Sequence, residues 1–490
     1  MKKLHIPAMA IANRHPWNLK CDTDSKYANF ANELQKIIVK QKIEGFDGDN
    51  ARELAIVLTL YYEDVIADLG VWRAFTDRMQ QLYGKFLPFY DIDLQRYYRD
   101  EPNMQDVRFL IWLFASRTEM TSILAPDTPA LEWLARLISQ RMELDFESMP
   151  VNEELKDFFA NPNMSDTFYK QRDLLKWFCY TNYLTSNENA VNDTMNQAMA
   201  FSRNMKCPLE IAINVAECVA VYESRVLPLA LKPQEWLAMV LRHNGQEKTA
   251  DAVEAQRYLP FGFYKVVKAE HEKGLYMESL VGEQFFVEDA QLEGITPQCY
   301  NMRSAMTFFV EYDGKFYLGT RSSWVDNAEA FDAEKRDHKR RRDMCMGNRT
   351  SLIEDNNGSP LYYFKNTESL KKFLHERIGM PMKELSSLGL DPTAEDFALF
   401  VRSADNNVCY FSDVARFIAD PANPYYNAEY ACNHAFGGMF GLPGDMLRYL
   451  HDKGLLPDAQ INCSGGKEEG RRVVEENFDF FARMMQGNHY

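Results

Sequence analysis

The densest group of side chains that could do chemistry is a run of cations between residues 335 and 342. Such runs can contact phosphates or an acidic partner. The cations are Lys335, Arg336, Lys339, Arg340, Arg341 and Arg342. Four acidic residues within 331–343 reduce the net charge there to +2, and no aromatic residue within 335–343 is present to stack on a base. The sequence therefore favours a solvated helix face with internal ion pairs over a nucleic-acid contact.

Three carboxylates, Glu63, Asp64 and Asp68, stand close together in an apolar segment. On a helix, Asp64 and Asp68 share one face, and paired carboxylates can bind Mg²⁺ or act as acid and base. A functional site needs further groups from a second element, and the sequence identifies none. We therefore expect these acids to lie on a solvated helix face.

A group of potential metal ligands lies near the C-terminus. It comprises Cys432, His434, His451, Asp452 and Cys463. Zinc sites commonly use CxxC or HxxxH pairs, and none of these spacings matches. No GxSxG, Walker A, GxGxxG or HExxH motif occurs in the chain either. The sequence thus predicts no metal site and no cofactor, and it leaves any catalytic residues unknown.

Composition indicates a globular, acidic protein. The 490 residues include 46% hydrophobic and 13% aromatic residues, and the formal net charge is −16, which opposes broad binding of nucleic acid. The nine cysteines form no CxxC pair and indicate reduced thiols in a cytoplasm. The N-terminus imitates a signal peptide, but His5 and Pro7 interrupt its short apolar stretch. We expect neither export nor a membrane-spanning segment, since no run of 18 apolar residues exists.

The fold class predicted from the periodicity is α+β, mainly α. After an N-terminal extension (1–25), residues 26–256 have helical spacing, as in Phe30, Leu34, Ile37 and Ile38. Several segments within 257–325 are instead rich in β-branched and aromatic residues and are joined by tight turns.

The predicted β-segment ends with a hairpin. Asp313-Gly314 favours a type I′ turn, and five short strands fit a small, partly closed barrel. Residues 326–360 are polar and are predicted to be a linker or insertion. Residues 361–490 are predicted to form a mainly helical C-terminal domain with one hairpin, formed by segments 397–401 and 408–411.

Two stretches resemble known families. The run GFYKVVKAEHEKGLYMESLVGEQFFVED with DGKFYLGT resembles a small β-module of uncharacterised bacterial proteins, some of which end in a cysteine-rich SEC-C metal-binding tail. The terminal MMQGNHY has no cysteine cluster, so that metal site is not carried over. The stretch DPANPYYNAEYACNHAF, together with LHDKGLLPDA further on, resembles an uncharacterised family of Bacteroidetes-type bacteria, and this resemblance implies no activity.

The function is unknown from sequence. Our leading hypothesis is a cytoplasmic, non-enzymatic binding or adaptor protein that uses its β-module and inter-domain grooves to bind a protein partner or a small ligand, with no membrane partner. One alternative is an enzyme whose site is assembled from distant residues. The other is a nucleic-acid-associated factor that uses residues 335–342. Analogy from a small barrel alone cannot decide between them.

Overall fold

The computed structural model describes residues 5–118, 124–186, 188–292, 297–320, 322–402, 407–487 and 490. The chain divides into two compact units. The first contains Met1–Asn327 with Asn462–Gly470, and the second contains Ala328–Ile461 with Arg471–Tyr490.

Helices form the first part of the first unit, which we call the helical domain. They are α1 (Ala8–Ala12), α2 (Asp24–Gln41), α3 (Gly48–Ala67), α4 (Val71–Tyr83), α5 (Met104–Thr118), α6 (Pro129–Asp145), α7 (Glu153–Ala160), α8 (Phe168–Tyr180), α9 (Glu188–Met205), α10 (Leu209–Glu223), α11 (Pro233–His243) and α12 (Glu247–Glu254). The predicted helical character of this region is confirmed. Residues 5–25, predicted as an extension, also pack into the domain, where Ile6 and Ile11 are fully buried.

Helix α3 lies at the centre of the domain and is covered on almost every side. Leu54, Leu58, Tyr61 and Tyr62 are buried, as expected for the apolar spacing of this segment. Its C-terminal half, however, is buried all round rather than along one stripe. A polar side chain in that half therefore needs a partner inside the protein, because leaving it without a hydrogen bond would cost several kcal/mol.

An antiparallel sheet follows the helices. Its strands are β1 (Arg257–Glu270), β2 (Gly274–Glu278), β3 (Gln284–Glu288), β4 (Ser304–Tyr312), β5 (Lys315–Leu318) and β6 (Ser323–Val325). The order is β3-β2-β1-β4-β5, β6 pairs with β4, and the five-stranded path nearly closes on itself. The predicted five-stranded, barrel-like module is thus confirmed. Its interior is filled by side chains such as Tyr264, Met277, Phe285 and Phe309.

The turn between β4 and β5 has the predicted form. Asp313 and Gly314 both have positive φ angles, of 50° and 71°, and β4 and β5 pair directly on either side of them. Positive φ at both central residues is what a two-residue type I′ hairpin requires.

The second unit combines helices with a three-stranded sheet. Its elements are α13 (Glu329–Asp355), β7 (Leu361–Phe364), α14 (Thr367–Glu376), α15 (Met382–Ser386), β8 (Phe397–Val401), β9 (Val408–Ser412), α16 (Ala428–Phe440), α17 (Gly444–Asp452), α18 (Lys467–Glu476, which begins in the first unit) and α19 (Phe478–Gln486). The predicted hairpin is β8–β9, and β7 adds a third strand beside β8. The turn residues 403–406 lie outside the described residues.

Most of the predicted polar linker, 326–360, is the long helix α13. Among its described side chains only Phe331 and Leu352 are buried, so it presents charged residues around most of its circumference. The sequence predicted a solvated helix face at 335–342, but it did not reveal the full length of the helix, because a helix without an apolar stripe carries no periodic signal. Its role as a linker stays a prediction. None of the described helices of the chain combines the length and apolar character needed to cross a bilayer.

Candidate functional site

One polar feature of the helical domain is a groove of about 350 Å³ between α4, α11 and α12. We call it the arginine groove. It is lined by Arg73, Ala74, Asp77, Arg78, Gln81, Glu235, Met239, Arg242, His243 and Glu254. Its volume falls within the range of small-molecule sites, roughly 300–1,000 Å³.

The end of α11 is fixed against the start of α4, and this contact sets one end of the groove. His243 Nε2 lies 2.9 Å from Asp68 Oδ1, and the Asn244 amide donates to the Leu69 carbonyl at 3.0 Å. Gly70 has a φ of 95°, and a Cβ on it would lie 2.4 Å from the His243 ring. Only glycine therefore allows the two helices to approach this closely.

The cations of the groove differ in how well they are paired. Arg242 donates to Asp251 at 2.7 Å and to Glu254 at 2.6 Å, and these bonds raise its pKa. Arg78 pairs loosely with Glu235, at 3.7 Å, and donates from Nη1 to Gln81 Oε1 at 3.2 Å, while its Nε has no acceptor among the described residues. Arg242 is thus committed to its neighbours, whereas Arg78 retains hydrogen-bonding capacity.

Arg73 is the least satisfied cation of the groove. It donates only a long, 3.4 Å bond to the Arg99 carbonyl and has no carboxylate partner among the described residues. The nearby carboxylate of Asp77 is already occupied, because it accepts from Arg99 at 2.5 Å. Arg73 and Arg78 together can therefore offer guanidinium groups to an anion from outside the protein.

A second polar feature is buried. His15, Cys21, Asp24 and Glu63, which we call the His15 cluster, bring two carboxylates and a thiol around one imidazole ring. His15 Nε2 donates to Glu63 Oε2 at 3.0 Å, while Nδ1 donates to the Leu19 carbonyl at 3.0 Å. Burial lowers the pKa of His15, but the bonds to Cys21 and Glu63 outweigh it and raise that pKa to about 10.

The carboxylates of the His15 cluster are not equally satisfied. Glu63 also accepts from the Asn152 amide at 2.7 Å. Asp24 Oδ2 accepts from the Cys21 backbone N–H at 3.0 Å, whereas Asp24 Oδ1 is buried and has no hydrogen-bond donor among the described residues. One buried carboxylate oxygen of the cluster, Asp24 Oδ1, therefore lacks a hydrogen bond within the described part of the chain.

A third buried carboxylate, Asp106 on α5, is fully surrounded by donors. Its Oδ2 accepts from the Tyr61 hydroxyl at 2.9 Å and from the Trp72 indole at 2.8 Å, and its Oδ1 accepts from the Tyr97 hydroxyl at 2.9 Å. Burial raises the pKa of Asp106 to about 6, and these donors limit the rise. We call this arrangement the Asp106 cage.

The expectation that Glu63, Asp64 and Asp68 lie on a solvated helix face is wrong for the first two, which are buried on the enclosed half of α3. Asp64 accepts from the backbone N–H groups of Val71 at 3.2 Å and Trp72 at 2.6 Å. It thereby caps α4, whose own N-cap residue is a glycine without a side chain. Burial raises the pKa of Asp64, whereas the hydrogen bonds from these donors lower it and only partly offset the rise.

The basic run lies on the exposed part of α13. Arg340 pairs with Asp337 at 3.5 Å, Arg341 with Glu334 at 2.8 Å, and Arg342 with Asp343 at 3.8 Å. These are surface pairs within one helix. Lys335, Arg336 and Lys339 lie on the same helix, and nucleic-acid contact by the run stays a prediction.

The C-terminal donors considered for zinc have other neighbours. His434 stacks on Tyr430 with ring centroids 4.2 Å apart, and His451 stacks on Phe478 at the same distance. Cys463 is buried in the first unit, and the side chain of Cys432 lies outside the described residues. Among the described residues, the potential metal ligands that do converge are His15, Cys21 and Asp24.

The sequence did not single out the residues of the arginine groove or of the His15 cluster. Arg73 and Arg242 are ordinary helix residues about 170 positions apart. His15 and Cys21 stand in an N-terminal stretch without periodicity. The available signals were weak ones: Glu63 and Asp106 interrupt strongly apolar helices, and a charge in such a position implies a buried partner.

Comparison with known proteins gives one match. The model of a family described as "Protein of unknown function (DUF3843)" matches residues 9–257 and 316–486. The interval between the two matched segments contains most of the β-module, from the second residue of β1 through β4. Neither the curated proteins nor the solved structures include a match. The expected membership of an uncharacterised family is confirmed.

Proposed function

Because this chain belongs to the DUF3843 family, whose function is unknown, we propose its function from its own geometry: it is a non-enzymatic binding protein that holds a small anionic molecule in the arginine groove. The observation that carries the proposal is Arg73, a half-buried guanidinium in a groove of ligand size that has no carboxylate partner among the described residues. Guanidinium groups bind carboxylates and phosphates with two parallel hydrogen bonds.

The lining of the groove also restricts the ligand. Arg73 and Arg78 both lie on α4 and both line the groove, so both can contribute positive charge to the binding of one anionic ligand. Glu235 Oε2 accepts from the Lys232 backbone N–H at 2.8 Å, but Oε1 is only loosely held by Arg78 and can accept from a donor group of the same ligand. These contacts favour a carboxylate or phosphate compound that also carries an amine or hydroxyl group.

The proposal is tested by titrating the full-length chain calorimetrically with a panel of small carboxylates and phosphates, each with a neutral analogue. We expect an anionic compound to bind, and Arg73→Gln to weaken its binding by at least about 10-fold, which corresponds to about 1.4 kcal/mol. Arg303→Gln is the matched control, because this arginine is 71% exposed on the β-module and far from the groove in sequence. Unchanged affinity in Arg73→Gln would refute the proposal.

A protein partner is the competing occupant under the broader adaptor hypothesis. A pull-down from host lysate, with and without nuclease, separates the possibilities. A partner that survives nuclease and is lost in Arg73→Gln would replace the small ligand. A partner lost on nuclease treatment would favour the basic run 335–342 instead.

Cytoplasmic location is part of the same proposal. Among the cysteines whose side chains the structure describes, Cys21, Cys179, Cys207 and Cys218 carry free thiols, as expected in a reducing compartment. A bacterial, Bacteroidetes-type origin and a relation of the β-module to SEC-C-tailed proteins are also proposals, and they rest on the resemblances of the sequence alone.

A further inference from the structure

Three side chains of the N-terminal segment and the start of α2 point their donor atoms at one another inside the helical domain. His15 Nδ1 lies 3.8 Å from Cys21 Sγ and 3.7 Å from Asp24 Oδ1, and the donor atoms of all three residues lie within 4.8 Å of one another. The three residues are only 3%, 8% and 5% exposed. Solvent therefore does not satisfy Asp24 Oδ1, which has no hydrogen-bond donor among the described residues.

The chain between His15 and Cys21 is held in a strained conformation. Trp17 and Asn18 have φ angles of 56° and 54°, which place two successive non-glycine residues in the left-handed region. Such residues cost free energy and occur where the surrounding structure fixes them, often at functional sites. Here the strained turn brings His15 and Cys21 to the same point.

We propose that His15, Cys21 and Asp24 form a binding site for a divalent transition metal ion, with Zn²⁺ as the best fit. A thiolate, an imidazole and a carboxylate are a donor set that suits zinc, whereas Mg²⁺ and Ca²⁺ prefer oxygen donors throughout. This inference is independent of the arginine groove and of the function proposed for it.

The observed distances are close to those of a zinc site. With bonds of about 2.1 Å to nitrogen or oxygen and about 2.3 Å to sulfur, a tetrahedral ion keeps its donor atoms roughly 3.4–3.6 Å apart. The distances from His15 Nδ1, 3.8 and 3.7 Å, exceed this by a few tenths of an ångström, and the ligand atoms of Cys21 and Asp24 lie within 4.8 Å of each other, so the three side chains must move closer together to hold an ion. The Leu19 carbonyl oxygen, 3.0 Å from the same nitrogen, is a candidate for the fourth donor.

Glu63 and Asn152 act as positioning residues for this site. Glu63 accepts from Nε2 of His15 and is itself held by the Asn152 amide, so Nδ1 becomes the nitrogen that faces the metal. A carboxylate that orients a metal-binding histidine in this way is common around zinc. A metal ion at Nδ1 takes the place of the proton that this nitrogen donates to the Leu19 carbonyl.

The site is tested with cobalt(II) as a spectroscopic probe, added to the full-length chain after removal of metals by a chelator. We expect one equivalent to bind with a thiolate-to-cobalt charge-transfer band, and Zn²⁺ to abolish that band by competition. Cys21→Ser should lose the band. Cys218→Ser, which removes another buried free thiol on α10, should keep it. The absence of the band from the wild-type chain, or its persistence in Cys21→Ser, would overturn the proposal.

A second variant separates loss of the metal site from misfolding, which could also explain a missing band in Cys21→Ser. Asp24→Asn keeps the thiol and the ring, and we expect it to retain the charge-transfer band and native circular dichroism while binding cobalt at least about 10-fold more weakly. Cobalt affinity equal to that of the wild type would remove Asp24 from the site and refute the three-ligand assignment. Glu63→Gln should likewise keep the band and lose affinity, by about 10-fold or more.

Discussion

The Asp106 cage and the His15 cluster are both buried polar centres of the helical domain, but their hydrogen bonds are balanced in opposite ways. In the cage, one carboxylate meets three donors, from Tyr61, Trp72 and Tyr97. In the cluster, two carboxylates, a thiol and a backbone carbonyl surround one imidazole, and Asp24 Oδ1 meets no hydrogen-bond donor among the described residues.

This difference separates a structural centre from a binding centre. A buried carboxylate whose oxygens all meet donors is complete, and a further ligand would only break its bonds. A buried group with an excess of acceptors is incomplete, and a cation completes it. Burial and charge are similar in the two centres, so the balance of donors and acceptors is the property that distinguishes them.

The largest effect that we expect comes from removing the carboxylate of the cage. Asp106→Ala leaves the Tyr61, Trp72 and Tyr97 donors without their buried acceptor, and it should lower the free energy of unfolding of the helical domain by about 3–5 kcal/mol. Urea denaturation followed by tryptophan fluorescence measures the loss. Asp93→Asn, at a carboxylate on the exposed loop after α4, is the control. A loss below about 1 kcal/mol would show that the cage is not a structural centre.

Stability should also depend on pH through the cage. The pKa of Asp106 is raised from the ordinary 3.8 to about 6, so between these values the folded chain binds more protons than the unfolded chain. The contribution of Asp106 is therefore fully present below about pH 4 and is lost as pH rises through about 6. Its size is at most about 3 kcal/mol. Between pH 4 and 7, the free energy of unfolding measured by urea denaturation should fall with rising pH in the wild type and should fall less steeply in Asp106→Asn. Equal slopes would contradict the raised pKa.

The same comparison predicts which centre responds to metal. At free Zn²⁺ near 100 times the dissociation constant, binding to the folded chain alone stabilises it by about 2.7 kcal/mol. We expect Zn²⁺ to increase the free energy of unfolding by this amount in the wild type and in Asp106→Asn, but not in Cys21→Ser. Thermal unfolding with and without Zn²⁺ measures it. An increase that survives in Cys21→Ser would place the metal elsewhere.

Periodicity was sufficient to predict the architecture because most elements carry their own signal. Helix α2 shows its three-to-four spacing, and the Asp313-Gly314 turn requires positive φ at both residues. For α13 the sequence predicted a solvated helix face only at the basic run, and the full length of the helix was missed because it has no apolar stripe. Strand β7 has only four residues, too few for a clear alternation in the sequence, and it is defined as a strand by its pairing with β8.

The polar centres were harder to predict because their residues come together only in the folded chain. His15 and Glu63 are 48 positions apart, and Asn152 is a further 89 away. Glu63 and Asp64 were expected on a solvated face because acidic residues on a helix usually lie in water. The structure reverses this expectation, since the neighbours of α3 cover its second half and supply the donors. Local spacing cannot show which face of a central helix is covered.

The smallest effect that we expect concerns a single donor of the cage. Tyr97→Phe removes the bond to Asp106 Oδ1 and leaves the Tyr61 and Trp72 bonds in place. Because that bond favours the ionised carboxylate, its loss should raise the pKa of Asp106 further and should cost about 1–2 kcal/mol near neutral pH. The pH at which the contribution of Asp106 to stability is lost should therefore move upward. Urea denaturation at several pH values between 5 and 8 measures this shift. No comparable shift is expected for Tyr98→Phe, at an exposed neighbouring ring. A downward shift of this pH in Tyr97→Phe would contradict the view that the Tyr97 hydroxyl stabilises the ionised carboxylate of Asp106.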